Sequence, residues 1–181
     1  MKHRILAFLI ILVAFTAATP VEQVVNKIDS KIEFNLSAAN NSLKGELRDY
    51  KARIFLDKKD FTKSTISFTV NLSNFTLKNP SNDPKLLLVN GLIANLKIAP
   101  ATFESESIRQ VSRDDFLVTG IVKRSGQAWE MEFMAKPRKL SETRTQLELS
   151  MKGDFNGAEF SIPLTGNAEV KGKVLMDNQK P

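Results

Sequence analysis

Alternation with a period of two runs through most of this chain, and it restricts the fold more than any other feature. Ile32, Phe34 and Leu36 alternate with Lys31, Glu33, Asn35 and Ser37. Tyr50, Ala52, Ile54 and Leu56 stand against Lys51 and Arg53. Ile66, Phe68, Val70 and Leu72 stand against Thr65, Ser67, Thr69 and Asn71. Phe116, Val118, Gly120 and Val122 follow, then Trp129, Met131, Phe133 and Ala135 against Glu130 and Glu132. Leu147, Leu149 and Met151 alternate with Gln146, Glu148 and Ser150. Ala168, Val170, Gly172 and Val174 close the series against Glu169, Lys171 and Lys173. A strand sends successive side chains to opposite faces, so each run has one apolar and one polar face. Roughly eight or nine strands are expected on this pattern. The polar breaks between them are short, so neighbours run antiparallel. Arg124-Ser125-Gly126-Gln127 is the clearest hairpin, with Gly126 free to take positive φ. A closed up-and-down barrel and a sandwich both satisfy the pattern. Gly45, Gly120 and Gly172 fall inside strand runs and favour the barrel, whose closure needs sharp bends.

Two segments depart from the alternation. Asn79 to Pro100 reads NPSNDPKLLLVNGLIANLKIAP. Asn82 or Asp83 can cap a helix, Pro84 suits its first turn, and Leu86 to Leu96 supply a helix-like apolar cluster. The expectation is a short helical segment around 83–96, placed across one barrel end. Asp57 to Phe61 reads as a helical turn or loop. At the N-terminus, Lys2, His3 and Arg4 precede an apolar stretch from Ile5 to Ala18 that ends in small residues. That is the layout of a secretory signal peptide, and the stretch is shorter than the roughly 20 residues of a spanning helix. The expected organisation is a signal peptide at 1–18, one domain at 19–176 and a tail at 177–181. The expected location is periplasmic or secreted.

Without the first 18 residues, 24 basic side chains face 20 acidic ones. The bases are dispersed, and one Trp and one Tyr offer little for base stacking, so no nucleic-acid partner is expected. Transient contact with a membrane surface is compatible with the charge. The oligomeric state has no signature. The chain has no Cys, and its only His is His3. Ser-His-Asp and Cys-His nucleophile arrangements and the usual zinc sets are therefore out of reach for the domain. Glu104/Glu106 and Glu130/Glu132 share strand faces, but those are the solvated faces. No enzyme, cofactor or metal is expected. Lys123-Arg124 and Lys136, Arg138, Lys139 leave opposite ends of one hairpin, so the two basic groups are not expected to converge.

Several short motifs occur in a consistent order. Ser30-Lys31-Ile32-Glu33-Phe34 is followed by Gly45-Glu46-Leu47-Arg48-Asp49-Tyr50 and by the run from Ser64 to Leu72. Ala99-Pro100-Ala101-Thr102-Phe103-Glu104-Ser105 is the most specific, and the run from Phe116 to Gly126 completes the set. In this order the chain resembles the YceI-like family of secreted or periplasmic lipid-binding proteins, from about Asn26 to Met176. It departs from the family in lacking a His in the first strand region and in carrying Asn82 before Asp83. The resemblance implies an all-β fold: an eight-stranded, antiparallel, lipocalin-like barrel that takes an apolar isoprenoid-type lipid, polyprenyl or quinone-like. The candidate lining is then Phe34, Phe68, Val70, Phe116, Val118, Trp129, Met131, Phe133, Leu147 and Leu149. The residues alone allow two readings, a ligand tunnel or a dry filled core. In the second the chain is a structural or interaction protein of the cell envelope.

Overall fold

The structure, a computed structural model, describes residues 20–38, 41–71, 75–78, 99–156 and 165–178. The helix expected around 83–96 lies outside the described residues. The strands are β1 (Val21–Ala38), β2 (Asn41–Leu47), β3 (Tyr50–Leu56), β4 (Thr65–Val70) and β5 (Phe75–Lys78). They continue with β6 (Ala101–Gln110), β7 (Phe116–Arg124), β8 (Gln127–Lys139), β9 (Arg144–Asn156) and β10 (Thr165–Asn178). Every ladder is antiparallel, and β10 returns to pair with β1. That pairing closes the sheet, so the fold is the barrel rather than the sandwich.

Among the described residues, ten strands build an eight-stranded ring because two positions in it are shared. β1 pairs with β3 over Val21–Gln23 and with β2 from Ile32 to Ala38. β4 pairs with β3, and β5 pairs with β2. Thus β2 continues β3, and β5 continues β4, around the same barrel. The period of two decides what points inward. Ile54–Ile66 and Ala52–Phe68 are cross-strand pairs, as are Val118–Phe133 and Phe116–Ala135. Directly opposed residues share a face, so these pairs stack inside the ring.

β1 leaves its ladder with β10 between Asn26 and Lys31. Side chains hold the wall there. The Asn26 Oδ1 accepts the N–H groups of Ile28 and Asp29 at 3.1 and 3.2 Å. The Ser30 hydroxyl donates to the Asn26 carbonyl and accepts the Leu175 N–H at 2.9 Å. β10 runs on to Asn178, past the start of the segment read as a tail, and Arg144 Nε donates to Asp177 Oδ1 at 2.8 Å.

The two ends of the barrel differ. The lower end carries the connections Asp57–Ser64, Val111–Asp115 and Leu140–Thr143. Asp57 is buried, and its Oδ1 accepts the N–H groups of Lys59 and Asp60 at 2.8 and 2.9 Å. Asp60 caps the 3-10 turn Phe61–Lys63 by accepting the Thr62 N–H at 3.1 Å. This is the helical turn expected near Phe61, shifted slightly along the chain. The turn drives Phe61 into the lower end, edge-on to Phe116 with ring centroids 4.8 Å apart. Ile54, Ile66, Val118, Leu147, Val174 and Met176 pack above it, fully buried. At the upper end, the β7–β8 hairpin turns through Ser125 and Gly126, with φ of 50° and 80°. Two consecutive positive φ values match the right-handed twist of the flanking strands, which is why Gly stands there.

Candidate functional site

The lower half of the barrel is filled, and the upper half is not. A cavity of about 240 Å³ opens among the inward faces of the upper half. Of the ten candidate residues, Phe68, Val70, Met131, Phe133 and Leu149 line it. Phe116, Val118 and Leu147 point inward as well, but they lie in the packed lower core beside Phe61. Phe34 lies across Gly45, with its ring where a Cβ at Gly45 would sit. Trp129 is 38% exposed, opposite Val122, where the inward face of β8 reaches the upper end. The Arg124 guanidinium lies 6.0 Å from the Trp129 ring centroid, close enough for a cation–π contact.

The cavity is also lined by Ile32, Leu47, Phe103, Val122, Met151 and Val170, which were not among the candidates. Their signal was present. Each occupies an apolar position in an alternating run or in one of the ordered motifs. What the alternation omits is height along the barrel axis, which separates lining from core.

Phe68, Phe103 and Phe133 belong both to the packed core and to the cavity lining. They form the floor between the two halves. Phe103 meets Phe133 edge to face, with centroids 5.2 Å apart. The Phe103 ring occupies space that Gly120 leaves open. A Cβ on Gly120 would fall 2.7 Å from the Phe103 ring and 2.2 Å from the Glu104 carbonyl oxygen. β6 crowds β7 there because its register shifts between Ser105 and Ser107.

Among the described residues that line the cavity none is titratable, and Thr102 and Ser150 are the polar members. One ionisable group adjoins this wall: Tyr50, the cross-strand partner of Val70. Its phenol is buried beside the β1 irregularity, and burial pushes its pKa up. Ser30 lies near enough to pull the other way, yet the Tyr50 hydroxyl completes no hydrogen bond among the described residues. Lys27 Nζ sits 5.8 Å from the Tyr50 ring centroid.

The charged groups singled out from the sequence are dispersed over the outer face. Lys123 pairs with Glu104 at 3.1 Å, Lys136 with Asp115 at 3.5 Å, and Arg138 with Glu148 at 3.3 Å. The Lys123-Arg124 group and the Lys136-to-Lys139 group lie at opposite ends of the barrel. Among the described residues, no group of three or more His, Cys, Asp or Glu could hold a metal ion. A second concavity of about 400 Å³ at the lower end is lined by Lys58, Lys59, Arg113, Lys139 and Glu142 among others. Its wall is largely charged, which suits water better than a hydrocarbon.

The model of the YceI-like domain family matches residues 24–178. Among solved structures, BcnA of Burkholderia cenocepacia superposes with a TM-score of 0.66 at 14% identity, over 84% of this chain and 99% of that one. A polyisoprenoid binding domain from Saccharophagus degradans, implicated in plant cell wall breakdown, superposes at 0.57 with 11% identity, over 88% and 99%. The YceI protein of Campylobacter jejuni superposes at 0.52 with 14% identity, over the whole of both chains. At such identities the likeness is one of fold. No curated protein matches the sequence.

Proposed function

The chain belongs to the YceI-like domain family, and from that premise we propose that it binds an apolar, isoprenoid-type lipid without chemically altering it. One observation carries this reading: a closed barrel that is solid below and holds a cavity above, walled almost wholly by hydrocarbon. The hydrophobic wall suits an alkyl or prenyl chain, and among the described residues it carries no acid, base or nucleophile to act on one. The fold-level likeness to a polyisoprenoid binding domain supports the same class of ligand.

The polar head of such a lipid lies at the upper end, beside Trp129 and Arg124. A phosphate head would make affinity fall with added salt, and a neutral quinone would not. The tail supplies most of the driving force. Burying about eight chain carbons at ~0.8 kcal/mol each is worth about 6 kcal/mol, a Kd in the tens of micromolar before ordering costs. The protein works outside the cytoplasm in this reading, and the basic and apolar N-terminal stretch supports export.

The test is native mass spectrometry, with organic extraction, of the protein recovered from a bacterial periplasm. A stoichiometric long-chain lipid is the expected result, and its mass identifies the class. A protein that stays free of ligand after incubation with isoprenoid alcohols, isoprenoid phosphates and quinones overturns the carrier reading. It would leave the barrel as an interaction module of the cell envelope.

A further inference from the structure

We infer that Phe68, Phe103 and Phe133 form a depth stop, and that this barrel admits only the last few carbons of its ligand chain. The inference rests on the lipid-binding reading and adds which part of the lipid is recognised and which residues set the limit.

The argument is one of volume and packing. A cavity of about 240 Å³, at about 30 Å³ for each water-sized group, takes about eight chain carbons. That is less than two five-carbon isoprene units, so a long polyisoprenoid cannot be housed in this space. Below the floor the described residues leave no continuation of the cavity. Ile54, Val118, Leu147 and Met176 are fully buried beneath it, and Phe61 on Phe116 closes the far end. Protein cores are packed as densely as organic crystals, so a chain cannot thread this one without displacing side chains. The floor is itself braced. Phe103 is held edge-on by Phe133 and sits in the space that Gly120 leaves open. Any further carbons therefore leave through the upper end, past Met131 and Trp129.

The test is titration calorimetry of the exported protein with straight-chain primary alcohols from butanol to dodecanol. For the unaltered protein, each added carbon is expected to tighten binding about fourfold until the chain reaches the floor. Beyond about eight carbons the gain stops. Phe103→Ala removes six ring carbons and moves the plateau about four carbons further along the series. Phe103→Leu, which keeps a core-sized apolar side chain, moves it part of the way and guards against loss of the fold. Circular dichroism checks that both variants remain folded. Continued tightening through dodecanol in the unaltered protein overturns the depth stop. So does a plateau that stays in place in both folded variants. Failure of every alcohol to bind any of the three proteins is a different result: it sinks the lipid-binding reading itself, and the depth stop with it.

Discussion

The substitution Gly120→Ala tests the central piece of this geometry. Gly120 lies in β7 with its Cα hydrogen turned toward β6, where the β6 register shifts. Its φ lies outside the left-handed region, so the substitution carries no backbone strain and the whole cost is steric. The new methyl would sit 2.2 Å from the Glu104 carbonyl oxygen and 2.7 Å from two atoms of the Phe103 ring. The ring can slide, but the carbonyl belongs to a strand paired on both sides. Reaching ordinary contact distance needs a movement of about 1 Å in β6. Overpacking of this kind costs about 1–3 kcal/mol, and an immobile backbone obstacle argues for the upper end. Alanine recovers about 0.7 kcal/mol because a glycine is entropically unfavourable within a strand. The net is about 2 kcal/mol of destabilisation, or a fall in Tm of about 4–8 °C for a domain of this size. In urea the midpoint should drop by about 1 M with the slope unchanged. Gly153→Ala is the control, since a Cβ there meets nothing within 4 Å. It should leave stability unchanged or raise it slightly. Equal midpoints for the two variants would refute the claim that β6 and Phe103 press on Gly120. The same variant should weaken alkyl-chain binding, because the displaced Phe103 ring has only the cavity to enter.

Four further outcomes are expected. Phe61→Ala opens the plug at the lower end and should cost about 3–5 kcal/mol in chemical denaturation, since Phe61 is buried against Phe116. Tyr50→Phe removes a buried hydroxyl that completes no hydrogen bond among the described residues, so stability should hold or rise by about 1 kcal/mol. Tyr50 is the only tyrosine, so ultraviolet absorbance reports its ionisation alone. Burial raises its pKa, so the folded protein keeps the proton longer than the unfolded chain, and stability should fall as pH rises past 10.0. The Arg144 guanidinium holds the Asp177 carboxyl below its ordinary value, with Arg144 donating to both oxygens. A depressed carboxyl contributes above its unfolded pKa and loses that contribution as pH falls through the folded one. Asp177→Asn should therefore show a shallower loss of stability under acid than the unaltered protein, read from thermal midpoints across the acid range.

The all-β class, the antiparallel order and the inward faces were legible in the sequence. Ile54, Ile66, Val118 and Leu147 could be assigned to the interior because strand geometry has a strict period of two, and a one-residue error would turn them all outward. The Ser125-Gly126 turn was legible for a similar reason: positive φ is a local demand, met by a local residue. β2 was not visible as an alternating run. Gly45 stands at an inward position there and leaves its side-chain space to Phe34, so the apolar signal is missing where the close contact is made.

The candidate site shows where such local reasoning stops. Phe133 and Phe116 both fall on inward faces by alternation, yet Phe133 lines the cavity and Phe116 packs against Phe61. Trp129 belongs to the same inward series as Met131 and Phe133 but reaches the rim. The sequence by itself determined which side of the wall each residue occupies, because that depends only on the pleat of one strand. The tertiary structure alone decided how deep each residue sits and whether the space around it is filled. Depth depends on the stagger between strands and on the β1 and β6 irregularities, which are set by ladders between residues far apart in the chain.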